Sequence, residues 1–194
     1  MKPPRDRRQR AERRPPVPLD PATLGILAMG YAARYATTAA KLERYLRRKL
    51  QERGWCDAAT PPDLAAVIER MVALNYVDDR LWGAARARGM TAKGLGRSRV
   101  AQDLHAAGVG RDDAAAVLDL PDEERVPAAL AAAVTFARRR RLGPFASDPA
   151  AARDPDVRRR ALAAMARAGH GFDVARQVLA APSREAAEAL AEEA

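Results

Sequence analysis

Apolar residues recur along this chain at intervals of three and four, which is the period of an amphipathic helix. In the first such stripe, Leu24, Leu27 and Tyr31 share one face behind a capping Asp20 and a first-turn Pro21. No segment shows the sustained alternation of apolar and polar residues that is typical of a strand. The pattern therefore predicts an all-α fold.

A second helix is predicted to begin near Thr38 and to end at Gly54, with Leu42, Leu46 and Leu50 at a spacing of four. A third is predicted from about residue 62, with an apolar stripe made of Leu64, Val67, Ile68, Met71 and Leu74.

The pattern at the end of the second helix recurs twice later in the chain. Two apolar residues four apart precede a glycine and then an apolar or ring residue. The three sets are Leu46, Leu50, Gly54 and Trp55; Val100, Leu104, Gly108 and Val109; and Ala161, Met165, Gly169 and His170. Glycine suits the left-handed conformation after a helix, where a side chain costs about 1 kcal/mol. The recurrence therefore indicates a repeated helical corner rather than a catalytic motif.

The segments after two of these glycines also match. Residues 108–120 (GVGRDDAAAVLDL) and 169–181 (GHGFDVARQVLAA) share Gly, Gly, Asp, Ala, Val and Leu at the same positions. Asp112 and Asp173 are predicted to lie at the cap or first turn of the following helix, where a carboxylate meets unpaired N–H groups.

These patterns predict three tandem three-helix units in an elongated, curved array. The predicted bounds are a disordered basic tail over 1–18, units over 19–76, 77–120 and 121–182, and an acidic C-terminal tail or short fraying helix over 183–194.

Composition limits the possible functions. Hydrophobic residues make up 48% of the 194 residues and aromatic residues only 5%, so the core must consist of Ala, Leu and Val, which favours helices. The single Cys56 excludes an intramolecular disulfide and a cysteine zinc site. No apolar run is long enough to span a membrane and no signal peptide is recognisable, so we expect a cytoplasmic protein.

Asp78 and Asp79 are the first candidates for a metal or acid–base site. Adjacent helical positions do not face one another, and no His or Glu lies nearby to complete a site. We expect both to cap the helix that carries Trp82. Tyr76 and Trp82 allow two interpretations, stacking on a DNA base or packing where two units meet, and packing is favoured.

His105 and His170 lack the spacing of a metal site, and His170 is expected to pack at the position that Trp55 and Val109 hold elsewhere. The glycines of residues 89–96 lack the order of a phosphate-binding loop. We therefore expect no metal, no cofactor and no enzymatic activity.

Basic residues form clusters, and the net charge of +9 predicts attraction to polyanions. The clusters are Arg44, Arg47, Arg48 and Lys49; Arg97 and Arg99; Arg138, Arg139, Arg140 and Arg141; and Arg158, Arg159 and Arg160. For any one cluster a solvated face is an equal alternative. Clusters on the same helix of successive units instead favour a stripe that follows a phosphate backbone or an acidic protein groove, since Arg binds both phosphate and carboxylate.

Over residues 20–182 the order and spacing of these features resemble the RecX family. The similar segments are RYATTAAKLERYLRRKLQERGW, VIERMVALNYVDDRLWGAA, KGLGRSRVAQDLHAAGV and RRRALAAMARAGHGFDVARQVL. The second contains the most recognisable motif, formed by Tyr76, Val77, Asp78, Asp79 and Trp82. The chain departs from the family pattern where Ala168-Gly169-His170 replaces Arg-Gly-Phe, and where Gly83 replaces an alanine.

The resemblance implies a non-enzymatic monomer of three tandem three-helix units that regulates homologous recombination and the SOS response. Its partners would be the RecA recombinase and single-stranded DNA, with weak duplex binding: it would lie in the groove of their filament and restrain RecA. The alternative is a helix-turn-helix transcriptional regulator, a class that usually dimerises to read two half-sites.

Overall fold

The computed structural model describes residues 17–57, 60–148, 152 and 154–192. The regular structure in these residues is helical, apart from an isolated bridge between Leu19 and Trp55. The helices are α1 (Pro21–Arg34), α2 (Ala39–Arg53), α3 (Leu64–Ala73), α4 (Asp79–Thr91), α5 (Arg97–Ala107), α6 (Arg111–Leu118), α7 (Asp122–Arg140), α8 (Pro155–Arg167), α9 (Phe172–Ala180) and α10 (Arg184–Glu192), with a 3-10 turn at Gly143–Phe145. The all-α prediction is confirmed.

The helices begin and end for the local reasons that the sequence indicates. The carboxylate of Asp20 accepts from the Thr23 N–H at 2.6 Å, and Pro21 occupies the first turn of α1. Gly54, Gly108 and Gly169 have positive φ of 79°, 82° and 90°, which glycine adopts most readily. Gly108 has the predicted left-handed helical conformation with ψ of 20°, whereas Gly54 combines its positive φ with an extended ψ of 177°.

Consecutive helices close on separate apolar clusters. Helices α1, α2 and α3 pack on one another around Leu24, Leu42, Leu46 and Met71, all buried. Helices α4, α5 and α6 enclose a second cluster, and α7, α8 and α9 a third. The buried residues of the second cluster are Met90, Val100, Leu104, Ala107 and Val109. Each group of three helices therefore has its own core.

The C-terminal segment forms a helix, one of the two expected forms, but this helix is docked on the fold rather than fraying. Helix α10 packs against α7 and buries Ala187 completely, while Leu190 and Ala191 cover the third cluster. Glu188 forms a 2.7 Å ion pair with Arg138 of α7. The segment is acidic in composition, but its alanine and leucine residues recur at helical spacing and form an apolar stripe. This stripe is sufficient for the helix to pack against α7.

The predicted basic tail lies outside the described residues, except for Val17 and Pro18. Among the described helices, none combines the length and the apolar character that crossing a membrane requires.

Candidate functional site

The N-terminus of α2 meets the C-terminus of α5. The Thr38 hydroxyl donates a 2.7 Å hydrogen bond to the carbonyl of Ala107, and both residues are buried. The Ala39 N–H donates to Asp79 Oδ1 at 2.8 Å. Since the ends of a helix carry unpaired N–H and C=O groups, the cap residue of α2 supplies a donor to the end of α5, and Asp79 of α4 supplies an acceptor to the first turn of α2.

The contact between α2 and α5 is too close for a side chain at Gly108. A Cβ there would lie 2.2 Å from the Cβ of Ala40. Gly108 is therefore required by two constraints, its left-handed backbone and the approach of the neighbouring helix.

The N-terminus of α5 meets the C-terminus of α8 in the same way. The Gly96 N–H donates to the carbonyl of Ala168 at 2.9 Å, and the Ser98 N–H to that of Gly169 at 3.4 Å. A Cβ on Gly169 would lie 2.3 Å from the backbone nitrogen of Arg99. Helices α8, α5 and α2 thus follow one another end to end, and we call them the axial row.

His170 stabilises the joint between α5 and α8. His170 is 8% exposed, and its Nε2 lies 3.0 Å from the carbonyl of Gly94. In the tautomer with the proton on Nε2, the ring donates a hydrogen bond to that carbonyl. Burial lowers the pKa of His170, because the charged imidazolium loses hydration. The packing predicted for His170 is confirmed, and the structure adds its hydrogen bond to the second group of helices.

The paired aspartates have different roles. Asp78 caps α4 as predicted, accepting from the Leu81 N–H at 2.7 Å. Asp79 lies in the first turn of α4, but its carboxylate turns to α2 and accepts from the Ala39 N–H. Burial raises its pKa, an effect that this hydrogen bond opposes. The prediction that Asp79 caps the helix carrying Trp82 is therefore wrong for its side chain, which joins two helical groups.

Trp82 packs as expected and Tyr76 does not. Trp82 covers the second cluster, and the Lys41 Nζ of α2 lies 3.7 Å from the centroid of its ring. This cation–π contact joins α2 to α4, and therefore also links the first two helical groups. Tyr76 is 43% exposed and belongs to no core cluster, so its predicted packing is wrong. The preceding residue, Asn75, has a positive φ of 58° in the turn between α3 and α4.

Three of the predicted basic clusters lie on the axial row. The exposed members of these clusters are Arg44, Arg47 and Arg48 on α2, Arg97 and Arg99 on α5, and Arg158, Arg159 and Arg160 on α8, with Lys49 half-buried. The fourth cluster lies at the end of α7, off the row. Its last member, Arg141, nevertheless lines a cavity of about 180 Å³ together with Arg158 and Arg160. The structure thus brings the ends of two clusters together.

Some of these cations already have partners. Arg97 donates to the carbonyl of Leu118 at the end of α6. Exposed ion pairs join Arg47 to Glu43, Arg48 and Lys49 to Glu52, and Arg159 to Asp156. Such pairs contribute about 0–1 kcal/mol, so a polyanion can displace them. Within the described part of the chain, no ion pair holds Arg44, Arg99, Arg158 or Arg160.

Sequence reasoning missed two groups near the contact between α2 and the second helical group. The first group is Lys41 of α2. The second is the ion pair between Arg86 of α4 and Asp103 of α5, in which the guanidinium donates to the two carboxylate oxygens at 2.7 and 2.9 Å. This ion pair holds the pKa of Asp103 below its usual range. Seventeen residues separate its members, which is no helical spacing, so no local signal identifies the pair. No group of three potential metal ligands occurs among the described residues.

Comparison with known proteins yields relatives over most of the chain. The chain is 30% identical to "Regulatory protein RecX" of Myxococcus xanthus over 189 residues, covering 91% of this chain and 94% of the relative. It is 30% identical to "Regulatory protein RecX" of Agrobacterium fabrum over 155 residues, covering 77% and 75%. No family model matches the chain.

Two solved structures share the fold. RecX from Lactobacillus salivarius superposes with a TM-score of 0.57 at 16% identity, over 80% of this chain and 92% of that one. A second structure, described as regulatory protein RecX, gives a TM-score of 0.52 at 19% identity, over 81% and 72%.

Proposed function

The chain belongs to the RecX family of regulatory proteins, and we propose that it binds the filament of RecA on single-stranded DNA and restrains RecA activity. It would thereby regulate homologous recombination and the SOS response in the cytoplasm. No cofactor is needed, because binding alone accounts for the effect.

The observation that carries this proposal is the axial row. Its three helices have a combined length of roughly 60 Å at 1.5 Å per residue. They present exposed arginines in each helical group rather than at one point. Such a distribution suits a long polyanionic partner, since phosphate contacts add along a backbone and release counterions. Arginine also forms bidentate hydrogen bonds with carboxylates, so the same row suits an acidic groove on a protein.

We also propose that the three helical groups are tandem copies of one unit, bounded near 19–76, 77–120 and 121–182 and arranged in an elongated, curved array. The two similar joints support this proposal. In both, the end of a middle helix carries a left-handed glycine, and the start of the preceding middle helix packs on it. A joint that is used twice favours an array in which a monomer reaches several RecA subunits.

The proposal is tested by titrating the protein into the DNA-dependent ATPase reaction of the cognate RecA on single-stranded DNA. We expect loss of ATPase activity well below one copy per RecA, together with co-sedimentation with the filament. Absence of both effects at excess protein contradicts the proposal. If the protein has neither effect on RecA, is a dimer and binds one duplex sequence in preference to others, the alternative function of transcriptional regulator is favoured.

A further inference from the structure

Three tyrosines form a continuous ring cluster between α1 and α2. The rings of Tyr31 and Tyr45 are stacked, with centroids 4.2 Å apart and planes 18° apart. The ring of Tyr35 lies 5.2 Å from that of Tyr31, tilted by 48°. Tyr31 and Tyr45 cover the first apolar cluster, so their positions are fixed from below. We call this group the tyrosine cluster.

The outer member of the tyrosine cluster is open to solvent. Tyr35 is 58% exposed, although it follows directly on α1 and its N–H is bonded to the Tyr31 carbonyl at 3.0 Å. Its backbone is therefore held while much of its ring is uncovered. Aromatic rings contribute to stability by burial, and this ring contributes little in that way.

Cations lie close to the tyrosine cluster. The Arg48 guanidinium lies 5.7 Å and the Lys49 ammonium 5.9 Å from the centroid of Tyr45. Arg34 is exposed and immediately precedes Tyr35. Open aromatic rings between cations are the arrangement that binds single-stranded nucleic acid, because bases stack on the rings while phosphates contact the cations.

We propose that the tyrosine cluster is a base-stacking site for single-stranded nucleic acid, with Tyr35 as the ring that receives a base. Arg34, Arg48 and Lys49 contact the neighbouring phosphates. A duplex is excluded from this mode of binding, because its bases are already stacked on each other. The inference deepens the proposed function and rests on it, since it assigns direct contact with bases to the first helical group and phosphate contacts to the whole axial row.

The test compares two oligonucleotides of equal length and charge, oligo(dT) and an abasic tract, by fluorescence anisotropy with the protein alone. The wild type should bind oligo(dT) about tenfold more tightly, as expected for one stacked base. Tyr35→Ala should abolish this preference, whereas Tyr35→Phe, which keeps the ring, should retain it. Tyr76→Ala is the matched control, since Tyr76 is also an exposed tyrosine but has no cation over its ring among the described residues.

Equal binding of the two oligonucleotides by the wild type, or a preference that survives Tyr35→Ala, overturns the proposal. So does the absence of oligo(dT) binding by the wild type. The RecA ATPase titration with wild-type protein reports on the proposed function separately, because it does not depend on the base preference. A thermal melt of Tyr35→Ala verifies that the variant is folded.

Photocrosslinking gives an independent measure of the contact. Oligo(dT) carrying 5-iodouracil should form an adduct that mass spectrometry places on Tyr35. Adducts confined to tyrosine or tryptophan residues outside the cluster contradict the assignment.

Discussion

The hydroxyl of Thr38 donates to the carbonyl of Ala107, 69 residues further along the chain, while the same oxygen accepts from the Lys41 N–H at 3.2 Å. One buried side chain therefore caps the start of α2 and the end of α5. It links the first two helical groups directly, as does the hydrogen bond from the Ala39 N–H to Asp79.

Replacing Thr38 tests whether this link contributes to stability. Thr38→Val keeps the shape but removes the hydroxyl, leaving buried donor and acceptor groups without partners. We expect a loss of about 2–3 kcal/mol in the free energy of unfolding, measured by urea denaturation. The adjacent Thr37 is a matched control, because it is also buried but its hydroxyl makes only a 3.4 Å contact. Equal losses for Thr37→Val and Thr38→Val would show that the link has no special role.

The recurring glycines differ in what surrounds them, which gives a second test. Gly54 and Gly108 have nearly the same positive φ, but their ψ values are 177° and 20°, and nothing lies within 4 Å of a Cβ built on Gly54. Gly54→Ala should therefore lower the free energy of unfolding by about 1–3 kcal/mol through backbone strain alone, because this combination of φ and ψ is one that only glycine adopts readily. Gly108→Ala adds the collision with Ala40, about 1–3 kcal/mol, to a left-handed strain of about 1 kcal/mol. Thermal denaturation measures both losses, and a loss of only about 1 kcal/mol for Gly108→Ala would contradict the collision.

Charge reversal on α8 tests the axial row. Arg158→Glu/Arg159→Glu/Arg160→Glu should weaken filament binding at least tenfold at fixed ionic strength, because phosphate contacts become repulsions. Folding should persist, since all three side chains are exposed.

A control for this variant changes the same charge away from the row. Arg70, Arg80 and Arg88 are exposed on α3 and α4. Co-sedimentation with RecA filaments should be unaffected when these three become glutamate. Similar loss for both triple variants would mean that net charge, rather than position, determines binding.

His170 gives the joint between α5 and α8 a dependence on pH. Its folded-state pKa lies below the ordinary value of about 6.5, so the unfolded chain binds the proton more readily. Stability due to neutral His170 is fully present above about pH 6.5 and is lost as the pH falls from there towards the folded-state pKa. Urea denaturation between pH 5 and 8 should show this loss.

Two substitutions test whether His170 is the cause of this pH dependence. His170→Gln supplies an amide donor for the Gly94 carbonyl without a group that titrates, so the loss between pH 8 and 5 should shrink. His105 is exposed, and His105→Gln should leave the pH profile as in the wild type. If the pH dependence of the free energy of unfolding is the same in His170→Gln as in the wild type, His170 is not its cause.

Local rules predict much of this molecule from its sequence. Helical spacing of Leu42 and Leu46 places them in a core, and capping residues such as Asp20 and Asp78 mark helix starts. These features depend on residues within four positions of one another, so periodicity reveals them. The glycines that end helices can also be recognised from the sequence, because a residue with positive φ after a helix is usually glycine.

Other features depend on which helices become neighbours. Whether Asp79 caps its own helix or α2 is decided by the approach of a segment 40 residues earlier, and both choices satisfy the carboxylate. The stacking of Tyr45 of α2 on Tyr31 of α1 likewise follows from how these two helices pack.

The sequence by itself determined the helices, their caps and corners, and the residues that carry positive charge. Tertiary structure alone decided that α8, α5 and α2 meet end to end, that α10 docks on α7, and that three tyrosines gather beside the cations of α2. The physical reason is range. Helix formation is governed by hydrogen bonds and side chains within one turn, whereas joints and surfaces arise from buried groups that only a folded chain brings into contact.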